Sequence, residues 1–180
     1  MKKIITCVVI AMLVGCSKPE EPQAASQLEP EQPKLTWEVI ASKDEMRGTN
    51  VKWLATRSEN DAGLSFPYDG QNKLQIDVLD SKSKNPRIFF TIDKGQYDCG
   101  QYGCYGAMKF GGNPVQEVSF REYDTSGSDG TILIFDGNVN ALLSNIRRFK
   151  EITVELPFYR DGTRQFKFNT SGFNEAEKKI

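Results

Sequence analysis

Histidine is absent from all 180 residues. That removes Ser-His-Asp and Cys-His nucleophilic catalysis, a His general base and His-ligated zinc from this chain. No Gly-x-Ser-x-Gly elbow and no Gly-rich phosphate-binding loop occurs. An excess of charge of one sign is missing too: 23 Lys and Arg stand against 24 Asp and Glu, a formal net charge of −1. Nucleic-acid binders neutralise phosphates with clustered cations, so no nucleic-acid partner is expected. Long apolar runs are also lacking. The run from Ile4 to Val14 has eleven residues, short of the roughly 20 that a membrane-crossing helix needs. What remains is 38% hydrophobic and 26% charged. That balance is globular, and the length fits one domain of roughly 100–200 residues.

The N-terminus carries the most specific signal. Lys2 and Lys3 precede the apolar run, as in a secretory signal. An uncleaved anchor and an ordinary secretory signal are the other readings of those residues. Leu13-Val14-Gly15-Cys16 resembles the lipobox of bacterial lipoprotein precursors. The resemblance implies a signal peptide over 1–15, a diacylglyceryl thioether on Cys16 and acylation of the new amine. Covalent lipid on Cys16 is then the expected prosthetic group, with no other cofactor. Each buried CH₂ contributes about 0.8 kcal/mol, so several chains together hold a protein to a bilayer. Ser17 in place of Asp implies the outer membrane if the source is Gram-negative. Cleavage would remove two Lys and Cys7, leaving 21 basic against 24 acidic residues and a net charge of −3. Cys99 and Cys104 then remain as a pair in an oxidising compartment.

Residues 16–36 read as the lipidated Cys and a tether. Pro19, Pro22, Pro30 and Pro33 alternate with Glu20, Glu21, Glu29 and Glu31 there, and such a stretch cannot bury enough surface to fold. A solvated spacer and an acidic partner site are both compatible with it. Period-two alternation dominates the globular domain, 37–174. Strands are expected at Trp37–Ile40, Val51–Ala55, Leu74–Val78, Ile88–Ile92, Ala107–Phe110, Val115–Tyr123, Thr131–Phe135, Ile152–Phe158 and around Phe166–Phe168. Val139, Leu142, Leu143, Ile146 and Phe149 share one helical face, so an amphipathic helix is expected over about 138–149, with Asn138 as N-cap. Arg147, Arg148 and Lys150 complement its dipole or form a partner patch. The fold expected is mainly β, a β-sandwich or small barrel with one amphipathic helix. Residues 175–180 are expected to be a polar, frayed tail.

Candidate chemistry is sparse. Cys99-Gly100-Gln101-Tyr102-Gly103-Cys104 has four residues between its cysteines, too many for the redox Cys-x-x-Cys spacing and without partners for zinc. A structural disulfide is expected. Tyr97, Tyr102 and Tyr105 surround it and offer rigid amphipathic contact area, or else pack over the staple or on strand faces. Asp93, Asp98, Glu122 and Asp124 are the carboxylates available to a hydrolase, which needs two at a fixed separation. Asp124 to Gly130 resembles a calcium loop superficially, yet lacks the terminal Glu. No metal is expected. Ser81-Lys82-Ser83-Lys84 reads as an exposed turn rather than a Ser-Lys centre.

A looser likeness spans the domain. Trp37-x-Val39, Ser58-x-Asn60, Leu74-x-Ile76, Gly95-Gln96-Tyr97-x-Cys99, Met108-Lys109-Phe110 and Ile152-x-Val154-Glu155 are similar in rhythm to small β-rich domains of bacterial and prophage lipoproteins and of type VI secretion accessory proteins. It implies a fold and no functional residue. The expectation is therefore a lipid-anchored, non-enzymatic binding domain whose partner is an envelope protein. A prophage exclusion factor and a secretion accessory are two forms of it. A carboxylate-dependent glycan hydrolase and a purely structural envelope lipoprotein are the competing readings. Cys16→Ala is expected to abolish palmitate incorporation and to block maturation, as read by metabolic labelling; continued labelling would show that the signal is misread.

Overall fold

Alternation in the strands dictates which side chains turn inward. The computed structural model describes residues 36–123, 125 and 129–180. The signal segment, Cys16, the tether as far as residue 35 and Asp124 lie outside the described residues. Nine strands follow in chain order: β1 Glu38–Asp44, β2 Thr49–Arg57, β3 Leu74–Leu79, β4 Arg87–Ile92, β5 Cys104–Phe110, β6 Gln116–Glu122, β7 Ile132–Phe135, β8 Glu151–Phe158 and β9 Gly162–Asn169. Helix α1, Val139–Arg148, sits between β7 and β8, and α2, Phe173–Glu177, ends the chain.

All nine strands belong to one antiparallel sheet in the order β1-β2-β3-β4-β7-β6-β5-β8-β9. The expected mainly β architecture with its amphipathic helix is what forms. The sheet is continuous and is not closed into a barrel, so β1 and β9 are its edges. Inward residues from both halves join one core: Leu54, Ile76 and Phe90 from one side, Phe120, Val154, Leu156 and Phe166 from the other. Phe90 and Phe120 meet edge to face at 5.1 Å across that core.

Helix α1 buries Leu142, Leu143 and Ile146 against the same core. Asn138 caps it, its side-chain oxygen accepting from Ala141 N–H at 3.0 Å. The long connection from Ser58 to Lys73 has no strand of its own. It is pinned by Asn72, which is fully buried. Asn72 accepts from Lys94 N–H at 3.0 Å, and its amide donates to the Tyr68 carbonyl at 3.2 Å and to the Lys94 carbonyl. Those bonds satisfy a polar group that burial would otherwise penalise.

The chain end differs from the expected frayed tail. Phe173 and Ala176 of α2 are buried, and Ile180 packs against the core. The polar composition hid this because the anchoring is done by two apolar residues and one ion pair. Arg147 of α1 donates to both oxygens of Glu177, at 2.7 and 3.1 Å, and its guanidinium lies 5.9 Å from the Phe173 ring. Arg147 thus bolts α2 to α1 rather than only complementing a dipole. Trp37 closes the arrangement with an edge-to-face contact on Phe173 at 4.8 Å. The Arg147 hydrogen bonds hold the Glu177 carboxyl below its ordinary range, against a smaller opposing effect of burial. Its stabilisation is therefore complete above the ordinary Glu pKa and is lost as pH falls through the lowered one. Glu177→Gln is expected to cost about 1 kcal/mol at neutral pH, a figure that allows for solvent screening of the pair. In urea denaturation the deficit should vanish in acid.

Candidate functional site

The outer face of β1, β2, β3, β4 and β7 carries side chains that solvent-facing positions seldom carry. Leu54, Ile76, Val78, Ile88 and Phe90 point to the core, so alternation turns Trp53, Asp77 and Phe89 outward. The register sets them side by side. Asp77 lies opposite Ala55 on β2 and opposite Phe89 on β4, and Phe89 lies opposite Ile134 on β7. Trp53 lies opposite Leu79, one outward position along. Tyr123, just past β6, stacks edge to face on Phe89 at 4.9 Å. The result is a groove of about 470 Å³ walled by Trp53, Phe89 and Tyr123, with Val51, Leu79 and Ile132 as further apolar lining.

Asp77 is the chemical centre of that groove. It is only 8% exposed although it faces outward. Small Ala55 beside it leaves room, and Trp53 reaches across from two residues away. Trp53 Nε1–H and the Gln75 amide both donate to Asp77 Oδ1 at 2.9 Å. Among the described residues Oδ2 accepts no hydrogen bond. Burial lifts the Asp77 carboxyl above the ordinary Asp range, while the Gln75 and Trp53 donors and the Arg57 charge pull it part of the way back. The other charged groups nearby are already committed. Arg87, whose guanidinium lies 5.9 Å from the Phe89 ring in the groove lining, pairs with Asp80 at 3.0 Å; Asp44 pairs with Arg47 at 2.9 Å, and Arg57 donates to both oxygens of Asp93.

The residues singled out by sequence fall elsewhere. Cys99 and Cys104 are joined as a disulfide. It closes a tight turn in which Gly100 and Gly103 exchange two backbone hydrogen bonds, each of 3.1 Å. Gly103 has φ of +113°, and a Cβ there would sit 2.9 Å from the Phe120 carbonyl, so no side chain is tolerated. Tyr102 and Tyr105 are exposed beside this staple. Tyr97 is not, and the expectation that it presents a contact surface is overturned. Its ring packs on Phe158 at 5.0 Å and its hydroxyl donates to the Phe90 carbonyl at 3.3 Å. Burial pushes its pKa above the ordinary Tyr value.

The sequence-derived carboxylates do not form a site. Asp93 is held by Arg57 and accepts from Lys73 N–H at 2.9 Å. Asp98 and Glu122 are exposed at separate elements, and Asp124 is outside the described residues. The stretch Ser81-Lys82-Ser83-Lys84 forms a turn with Lys82, Ser83 and Lys84 exposed; Ser81 alone is buried, and Lys82 donates to the Ile180 carbonyl at 2.6 Å. Among the described residues no group of three or more His, Cys, Asp or Glu is placed to hold a metal, and no helix is long and apolar enough to cross a membrane.

Sequence reasoning missed Asp77, Trp53, Phe89 and Tyr123 as a unit. A signal existed: continuing the alternation from Leu54 and from Ile88 and Phe90 puts two large aromatic rings on the face that should be polar.

No protein-family model matches the chain, and no curated protein matches it. Among solved structures, the crystal structure of invasion associated protein B from Bartonella henselae is similar to it. The two are 14% identical, the match covers 80% of this chain and 89% of that one, and the TM-score is 0.47.

The raised Asp77 pKa makes a stability prediction with a definite sign. A carboxyl whose folded pKa exceeds its unfolded one binds more protons when folded, so it costs stability as pH rises through that interval. Asp77→Asn, which keeps an acceptor for Trp53, is expected to raise the melting temperature at neutral pH. The gain should disappear in acid, where Asp77 itself is protonated. Thermal denaturation across pH checks this; a loss of stability at neutral pH would show that the carboxylate holds the fold together.

Proposed function

We propose that the chain is an exported, lipid-anchored binding domain that takes an envelope protein on the outer-face groove and performs no catalysis. The observation that carries this reading is the groove: three aromatic side chains around a buried carboxylate, on a sheet face that the core does not use. Aromatic residues are enriched where proteins bind one another, because they supply rigid contact area at low entropic cost.

Two further features support the reading. The Lys2-Lys3 start, the apolar run and Leu13-Val14-Gly15-Cys16 resemble a lipoprotein signal. The Cys99–Cys104 disulfide suits an oxidising compartment outside the cytosol. The groove also favours binding over glycan hydrolysis. Two-carboxylate hydrolysis uses a pair flanking the scissile bond, and the second carboxylate lining this groove, Asp44, is engaged by Arg47. An exclusion factor that occupies a receptor and an accessory that joins a secretion assembly are both forms of this function.

The test is photo-cross-linking in intact host cells with the full-length chain. A photoreactive residue replaces Val51 in the groove or, as a control, the exposed Val115 outside it. One discrete envelope-protein adduct from position 51, absent from position 115, is expected. No adduct, or the same pattern from both positions, would overturn the reading.

A further inference from the structure

Asp77 is an acid with no cation hydrogen-bonded to it among the described residues. A carboxylate removed from water is costly unless it is paired. Asp77 has two hydrogen-bond donors, both on Oδ1, and no cation of its own among the described residues. The nearby guanidinium groups pair elsewhere: Arg57 with Asp93, and Arg87, which lines the groove 5.9 Å from the Phe89 ring, with Asp80. Oδ2 is therefore left to whatever enters the groove.

The lining has the matching chemistry. Trp53 and Tyr123 offer π-systems, which attract a cation electrostatically, Trp most strongly, and Phe89 already has the Arg87 guanidinium 5.9 Å from its ring. Val51, Leu79 and Ile132 supply apolar surface of the kind that the methylene stem of a long basic side chain covers. An anion would meet a carboxylate here, and a purely apolar occupant would leave that carboxylate desolvated and unpaired.

The groove's shape selects the source of the cation. Small-molecule sites enclose most of their ligand. Here Val51 and Tyr123 are 43% and 37% exposed, so the groove is open along the sheet and suits a side chain delivered by a larger body. We infer that the groove receives one lysine or arginine side chain from the protein partner, with Asp77 Oδ2 as acceptor and Trp53 and Tyr123 beside the cation, Phe89 already carrying Arg87. This rests on the binding-domain reading above and names what that surface recognises.

The chain has two tryptophans, of which Trp37 is buried on Phe173 and Trp53 donates to Asp77. Two indole N–H resonances therefore report core and groove separately in a ¹⁵N spectrum of the full-length chain. The probes are N-acetyl-lysine-N-methylamide and its uncharged isostere N-acetyl-norleucine-N-methylamide, both at millimolar concentrations. The lysine compound is expected to shift the Trp53 indole and leave that of Trp37 in place. It should bind about tenfold more tightly than the norleucine compound. Asp77→Asn should erase the difference, and Asp98→Asn, on an exposed loop, should preserve it. An unmoved Trp37 indole in each variant certifies the fold.

Equal binding of the two compounds, an unresponsive Trp53 indole, or undiminished selectivity in Asp77→Asn would each overturn the inference. The two levels separate cleanly. A position-51 adduct that survives Asp77→Asn leaves the binding domain standing and removes the cation. The absence of that adduct in the otherwise unaltered chain removes the binding domain itself.

Discussion

The pleat of the antiparallel sheet is the constraint on which everything else rests. Each strand owes one face to the core, and a shift of one residue would send its inward set to solvent. Leu54, Ile76, Phe90, Leu133, Phe120, Met108, Val154 and Phe166 meet that demand on eight of the nine strands. Edge strand β1 contributes only partly buried Val39 to the core. Once the inward set is fixed, the outward set is fixed as well. The neighbourhood of Trp53, Asp77 and Phe89 is thus a by-product of core registration, with two ladders holding its parts in place. Of the three aromatic walls, Trp53 and Phe89 are set by paired strands, and Tyr123 stands just past the end of β6.

Close approach of backbones limits the same sheet on the opposite side. Gly106 of β5 faces β8 so closely that a Cβ would come within 2.3 Å of the Glu155 carbonyl. The disulfide turn and this close pairing fix the start of β5, where exposed Tyr105 stands. The tyrosine loop is consequently stiff, with Tyr97 drawn into the core through its contact on Phe158. Its two exposed rings make a surface separate from the groove residues.

Most of the fold was legible in the residues. All nine strands and α1 follow from periodicity, because apolar alternation and an i, i+3, i+4 face are local properties of the chain. Strand order was not legible: β4 pairing with β7, and β5 with β8, depends on how distant segments share one core. Helix α2 escaped because its anchoring comes from Phe173, Ala176 and an ion pair to Arg147, thirty residues earlier. The candidate site escaped for a related reason. Asp77 reads as an ordinary solvent-facing strand residue until the register sets Ala55 and Phe89 beside it and Trp53 one position along. Tyr97 reads as part of an exposed loop until its bridge to Phe158 is seen. Burial of a single polar side chain is a property of three or more strands at once, and no window along one strand contains it.

Thr36, at the mouth of the domain, has a mechanical consequence. Its hydroxyl lies 2.7 and 2.8 Å from the carbonyls of Asn169 and Ser171 and shares its one proton between them, and its own carbonyl accepts from the Thr56 hydroxyl at 3.0 Å. Tension arriving along the preceding chain would therefore meet the C-terminal corner and β2 before it could peel edge strand β1 from its neighbour. The first described residue is thus clamped to both the C-terminal corner and β2, a strand that also carries groove residues Val51 and Trp53.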